Sequence, residues 1–499
     1  MTLKRFTLNI VGVFGIAGLV LIGASTKAQK VQQQAAAELN SKDPCPNAIL
    51  DNIDNIDPGA IDALTKRIQR IPCDAAIEKN PKSGTTLAAK LQHGFDYFSW
   101  LTFIALNSPA DQKAKIGTDA RTEWETWKQL PDVMLPRGAP PASWGSPPDV
   151  PKACSTKKVE RGTIIIHMEM EETYNEPFRS GPLFDQNGNY ALFVIFMNKA
   201  MFDFIVNNKL YSVEGQRKFS EDIDFPSGDA TGPGSVMVKA SWKIITPKDD
   251  VTAYHTVKGL LYLPGATNEC REVQLGLIGF HVGHKTATRR QWIWTTFEHN
   301  KNVPSQDAVD NHKLTGPYNF YSVADTEKSH INQVPPGPWD PLKMNPHWDP
   351  DHPNSFRSQI VRTGVLDSDF AGVELLNTFF HGFLKSSVWT NYDLITTQWP
   401  SDANCAKHRD FGNFPDSTCA PFPTFLANST LETFSQPLPV PVGGIPLATS
   451  SCISCHNNAT THHVPATRSD FTYILEKAKS ENDPHKSNSL CCPSRTGPN

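Results

Sequence analysis

Four absences narrow what this chain can be. There is no methionine after Met344, only one Cys-x-x-Cys, no apolar run beyond Ala24 long enough to cross a bilayer, and no marked excess of either charge. A formal net charge of -4 over 499 residues gives no footing for nucleic acid or for an anionic membrane surface. Without a later span of about twenty apolar residues, no membrane-crossing helix is expected once a signal segment is removed. The lone Cys-x-x-Cys excludes a four-cysteine zinc site built from two such pairs. Forty prolines and thirty-one glycines, spread along the chain, argue for turns and irregular connections and against a helical bundle.

What is present centres on Cys452-Ile453-Ser454-Cys455-His456. C-x-x-C-H is the attachment signature of haem c: the thiols of Cys452 and Cys455 form thioethers with the porphyrin vinyl groups, and His456 becomes the proximal iron ligand. A redox dithiol or half a zinc site also uses C-x-x-C, but neither needs a histidine in that register. One covalently attached haem c is therefore expected.

Haem of this type is attached outside a bacterial inner membrane, and the N-terminus agrees. Lys4 and Arg5 precede an apolar run from Ile10 to Ala24, and small residues up to Ala28 offer a cleavage site. Residues 1–28 are expected to be an export signal and the mature protein to be periplasmic. Outside the motif remain Cys45, Cys73, Cys154, Cys270, Cys405, Cys419, Cys491 and Cys492, an even number that suggests disulfides. Cys45 with Cys73 and Cys405 with Cys419 are the expected local pairs, although spacing does not determine connectivity.

Residues 29–160 read as an N-terminal helical arm with loops. Ala60 to Ile71 and Thr86 to Leu106 carry apolar residues at helical spacing, the second as an amphipathic segment, and Pro131 to Pro151 is loop-like. Residues 161–366 read as a β-rich core domain. Thr163 to Met170, Tyr190 to Met197, His255 to Leu263, Glu272 to His281 and Gln291 to Glu298 are its strands, with a turn at Asp185 to Gly188. Val236 to Ile245 alternates, placing Val236, Val238, Ala240, Trp242 and Ile244 on one face and Lys239, Ser241 and Lys243 on the other, as a half-buried strand does. Residues 367–499 read as a helix, capped at Asp367 or Ser368 and running to Leu384, followed by the haem-attachment region. The expected fold class is mainly β with flanking helices (α+β), an antiparallel sandwich or distorted barrel carrying a C-terminal c-type haem segment.

Only 43 residues follow His456. A self-contained small cytochrome would place a helical wrap and a ligating methionine there, so this haem is expected to borrow its pocket from upstream. His462, His463, His281 and His381 are candidates for the distal ligand, each also readable as a structural or solvated histidine; an open distal position is the other option. Two strong axial ligands suit electron transfer, whereas an open site admits a substrate.

The densest polar cluster is Phe280 to Lys285 with Trp292 to His299. His281, His284, Glu298 and His299 are its candidates for acid–base work. If Glu272 to Val282 alternates unbroken, His281 shares a face with Val273, Leu275 and Leu277 while His284 takes the other. One metal between them would need Gly283 to break the strand. Glu298 reads as a pocket acid, a partner of Lys285 or Arg289, or half of a buried ion pair.

Gly181 to Tyr190, Lys239 to Trp242, His284 to Thr286, Trp292 to His299, Thr397 to Pro400 and Leu426 to Phe434 together resemble a group of exported bacterial proteins called cytochrome c family proteins. The resemblance implies one haem per chain and a periplasmic setting, and it implies no substrate. Cys491-Cys492 departs from the group's pattern. Three functions are expected on these grounds. The first is electron transfer with a periplasmic redox partner. The second is a haem-dependent oxidoreductase, peroxidase-like or oxidising a small molecule. The third is a glycan-binding or sensor module using the tryptophan-rich β surface.

Overall fold

A computed structural model describes residues 70–75, 85–111, 116–117, 120–177, 180–229, 231–263, 269–336, 356–363, 371–401, 421–436 and 451–482. The segment expected to be an export signal, the helix expected at 60–71 except its last residues, the caps expected at 367 and 368, and Cys45, Cys405, Cys419, Cys491 and Cys492 lie outside these. In chain order the main elements are α1 (Thr85–Leu106), β1 (Lys128–Gln129), β2 (Ile164–His167), β3 (Leu192–Met197), α2 (Lys199–Asn207), α3 (Val213–Lys218), β4 (Ser227–Asp229) and β5 (Gly232–Gly234). Next come β6 (Val236–Ile244), β7 (Thr256–Leu263), β8 (Glu269–Thr286), β9 (Arg289–His299), α4 (Gln306–Asp310), α5 (Ala371–Phe383), β10 (Tyr392–Pro400), β11 (Pro421–Phe422) and α6 (Cys452–His456).

The strands make one connected, mainly antiparallel sheet in the order β1-β3-β6-β8-β9-β10-β11. The protein is thus mainly β with a few helices, but the sheet is open, and the expected sandwich or barrel closure is not what these strands form. The long β8 explains how the sheet branches. Its first half, Glu269 to Gly276, pairs with β7, while its second half lies between β6 and β9. β2 then adds to β7 as a parallel neighbour. Two helices, α2 and α3, interrupt the stretch read as strands. Each starts at a polar cap: Asn198 accepts from the Met201 amide and Ser212 from the Gly215 amide.

Both faces of the sheet are covered along β6, the second half of β8 and β9, whereas Lys258, Glu272 and Gln274 of the β7–β8 branch are exposed. One face carries Val236, Val238, Ala240, Trp242 and Ile244 of β6 with Phe280, Val282 and Phe297, under α1 and α5. Phe103 stacks on Phe297 at 4.0 Å and Trp100 on Phe380 at 4.9 Å. Polar residues of α1 are buried as well. Gln92, Asp96 and Ser99, at helical spacing, engage the hydroxyls of Thr396, Thr397 and Thr295. The amphipathic pattern of that helix therefore faces two interiors, one apolar and one hydroxyl-rich. On the opposite face of the sheet, Met201, Phe202 and Ile205 of α2 pack with Ile453, Phe471, Ile474 and Leu475 against Met237, Trp292 and Trp294. The polar alternates of β6 are consequently not a solvated face: Ser241 and Lys243 are buried, the latter paired with Asp249 at 2.5 Å.

A one-residue register shift in β8 sets which side chains of its second half turn to which face. Ser241 pairs with Gly279 but Trp242 with Leu277, so Ile278 is extra. Such a bulge inverts the parity of everything beyond it. Leu275 and Leu277 therefore share a cluster with Phe280 and Val282, and His281 is turned to the other face. The expected grouping of His281 with Leu275 and Leu277 fails for that reason.

Candidate functional site

The side of the sheet that receives His281 holds a cavity of about 200 Å³. Its floor is a run of cross-strand neighbours: Ile195, Lys239 and His281 stand in register, as do Met237, Gly283 and Trp294. Gly283 leaves the floor open, since a Cβ there would lie 2.7 Å from the Met237 methyl. Over this floor lie α6 and residues 472–474; the turn at 171–177 and the Leu426–Glu432 segment complete the wall.

Cys452, Cys455 and His456 all line this cavity. α6 is one short turn, capped by the Ser451 hydroxyl, which accepts from the Ser454 amide. Gln398 of β10 tethers it by accepting from the Ile453 amide at 2.8 Å, and the Tyr473 hydroxyl donates to the Cys455 carbonyl at 2.8 Å. Neither motif cysteine is in a disulfide. Burial raises the Cys452 thiol well above its ordinary range, and the charge of Glu432 adds to the effect. His456 is wedged between Trp294, 4.3 Å away ring to ring, and Tyr473 at 5.2 Å. Its Nδ1 lies 2.9 Å from the Phe471 carbonyl. A carbonyl only accepts, so Nδ1 carries the hydrogen and Nε2 keeps its lone pair. Burial pushes the imidazole down to about 4, with the Phe471 hydrogen bond opposing and Lys239 and His281 reinforcing. The ring is neutral with its tautomer set, as a metal-binding imidazole requires.

The opposite wall is polar. His281 Nε2 lies 2.9 and 2.8 Å from the two carboxylate oxygens of Glu432. Burial would raise that carboxyl, but the charge and hydrogen bond of His281 outweigh it and hold Glu432 below its ordinary value. Glu176 behaves in the other sense: burial, with Glu432 adding, raises it to about 8. The Thr433 hydroxyl, 2.7 Å from the Ser429 carbonyl and 2.5 Å from Glu176 Oε1, donates toward both, and its bond to Glu176 opposes the rise.

The other candidates lie elsewhere. His284 faces Phe98 and gives Nε2 to the Pro233 carbonyl at 2.7 Å. His299 stacks on Tyr254 and contacts the Ala253 carbonyl at 2.8 Å. Burial lowers both to about 4. β8 runs unbroken through Gly283, so His281 and His284 stay on opposite faces. Glu298 is held by both guanidinium nitrogens of Arg362, at 3.0 and 2.6 Å, and by the Ser429 amide at 2.6 Å: of its three readings it is the buried ion pair. Lys285 pairs instead with Asp224 and Asp470. His381 contacts the Tyr392 carbonyl beside Trp100, on the far face. His462 and His463, although near the motif in sequence, turn to the Glu476 and Pro465 carbonyls. Trp242, Trp292 and Trp294 are core residues rather than a surface platform.

Of all these residues, the cavity therefore gathers the three motif residues and His281. Glu176, Lys239 and Glu432, which join them, are marked by no chemical motif: Lys239 reads only as a polar strand position and, with Glu432, as part of the segments carrying the resemblance; Glu432 and His281 are 151 residues apart. Among the described residues no three histidine, cysteine or acidic side chains converge to hold a metal ion, and no helix is long and apolar enough to cross a membrane. No family model, curated protein or solved structure matches the chain.

Proposed function

We propose that this chain is a periplasmic monohaem c-type protein that transfers single electrons to or from a redox partner. The haem is attached through Cys452 and Cys455, with His456 as proximal ligand. The observation that carries the reading is the set state of His456: a neutral imidazole at a cavity wall, its Nδ1 hydrogen held by Phe471 and its Nε2 lone pair left over. Carbonyl-held histidines with a fixed tautomer are the usual proximal arrangement. The chemistry of the pair also favours haem over a redox dithiol. Reactive C-x-x-C thiols have lowered pKa values, whereas burial raises Cys452. Enclosed apolar walls from Ile195, Met237, Trp294 and Ile474 suit a porphyrin edge. At about 200 Å³ the cavity is below the ~300–1,000 Å³ of pockets that bury a drug-sized ligand. The cavity would thus enclose only part of such a group. When bound, the haem supplies a one-electron couple.

A second reading, the haem-dependent oxidoreductase, is favoured by one observation: the polar wall of His281, Glu432 and Glu176, which an electron relay does not need.

Expression with a thioether-forming haem maturation system tests the proposal. The exported protein should gain the mass of one haem, and Cys452→Ser with Cys455→Ser should carry none covalently. Exported protein that keeps both thiols and no haem would overturn it.

A further inference from the structure

The polar wall has the parts of a proton-transfer site. Glu432 accepts the Nε2 hydrogen of His281, which leaves Nδ1 as the basic nitrogen of the ring. A carboxylate on the far nitrogen orients an imidazole and stabilises the imidazolium formed when it takes a proton. The titratable groups facing His281 are Glu432 from the 426–432 segment, Glu176 from the 171–177 turn, Lys239 directly across on β6, and His456 of α6 over the floor. Glu172 and Lys477 pair with each other at 3.5 Å in the remaining wall. Among the histidines weighed for the distal position, His281 alone shares the cavity with His456.

Its geometry decides between ligand and base. Nε2, the nitrogen that would reach furthest into the cavity as a ligand, is held by both oxygens of Glu432, which favours the base.

We propose that His281, oriented by Glu432, is the proton acceptor of an open distal site, and that the cavity takes small protic ligands of the type H–X, such as hydrogen cyanide and hydroperoxides. The H–X bond breaks as the ligand enters: the proton goes to His281 Nδ1, the electron pair stays on X, and the anion is bound as the imidazolium pairs with Glu432. This rests on the haem reading but not on electron relay.

The test is stopped-flow binding of cyanide to the oxidised, haem-loaded protein. In wild type the observed rate should rise linearly with cyanide. His281→Leu should slow association by about 10²–10⁴-fold, the usual contribution of a positioned base, with dissociation little changed. Glu432→Gln keeps the side-chain shape and should also slow association, which guards against a His281 variant that fails to fold. Unchanged association in both variants overturns the proposal. So does a wild-type rate that saturates with cyanide over a low-spin spectrum, since an internal ligand would then have to leave first. A wild-type chain without haem, visible in its mass and optical spectrum, overturns both readings; a loaded chain indifferent to His281 and Glu432 overturns only this one.

Discussion

Glu176 shows what a single buried carboxyl does to this protein. Burial, helped by the charge of Glu432, raises it from an ordinary value of 4.5 to about 8. Between those values the folded chain holds a proton that the unfolded chain has released. The native state binds more protons there, so stability is full below about pH 4.5 and is lost as pH rises toward 8. The slope is at most about 1.4 kcal/mol per pH unit. Glu176→Gln, neutral throughout, should flatten it. Denaturation midpoints measured from pH 5 to 8 should fall less steeply in the variant than in the wild type, and equal slopes would show that Glu176 is ionised. The same desolvation keeps His284 and His299 neutral, where each serves a backbone carbonyl.

At the scale of elements, β8 does most to make the site. Its first half belongs to one branch of the sheet and its second half to the other, and the extra residue between them aims His281 at the motif. Gly283 then keeps the floor clear. A lone methyl at this position would meet the flexible Met237 side chain, its methyl at 2.7 Å and its Cγ at 3.2 Å, and the edge of Trp292 at 3.4 Å, so Gly283→Ala should be tolerated once Met237 shifts. Gly283→Val fills the floor and should cost about 1–3 kcal/mol by overpacking, with less haem attached per chain. Denaturant titration and intact mass of the purified variants check this. A valine variant as stable and as fully loaded as wild type would mean that the floor is not what admits the group.

Over the whole molecule, cysteine is used in two ways. Cys154 and Cys270 form a disulfide across 116 residues of sequence, joining the turn before β2 to the start of β8. Cys73 is also disulfide-bonded, whereas the two motif cysteines are not. The long bridge closes a large loop in the unfolded chain, and removing such a native bridge costs about 2–5 kcal/mol. Cys154→Ser with Cys270→Ser should lower the unfolding midpoint accordingly. On the proposed haem reading, the spectrum of the loaded protein should stay as in wild type, because the bridge lies at the opposite half of β8 from the cavity. A shifted spectrum would mean that the two halves are coupled.

By itself the sequence determined the mainly β character and the alternation of β6, and it supplies the Cys452–His456 spacing from which the haem proposal starts. Each of these rests on residues a few positions apart, where periodicity and spacing speak directly. It did not reveal that the polar face of β6 is roofed, since that roof comes from distant residues: the 451–474 segment beside Met237 and Lys239, Thr430 at Ser241 and Asn319 at Lys243. Nor could it join Cys154 to Cys270, or set Glu432 against His281 and Thr433 against Glu176 across 151 and 257 residues. Tertiary structure alone decided which face His281 occupies. One extra residue in β8 inverts every side chain after it, and a bulge is stabilised by its partner strands rather than by the letters of its own.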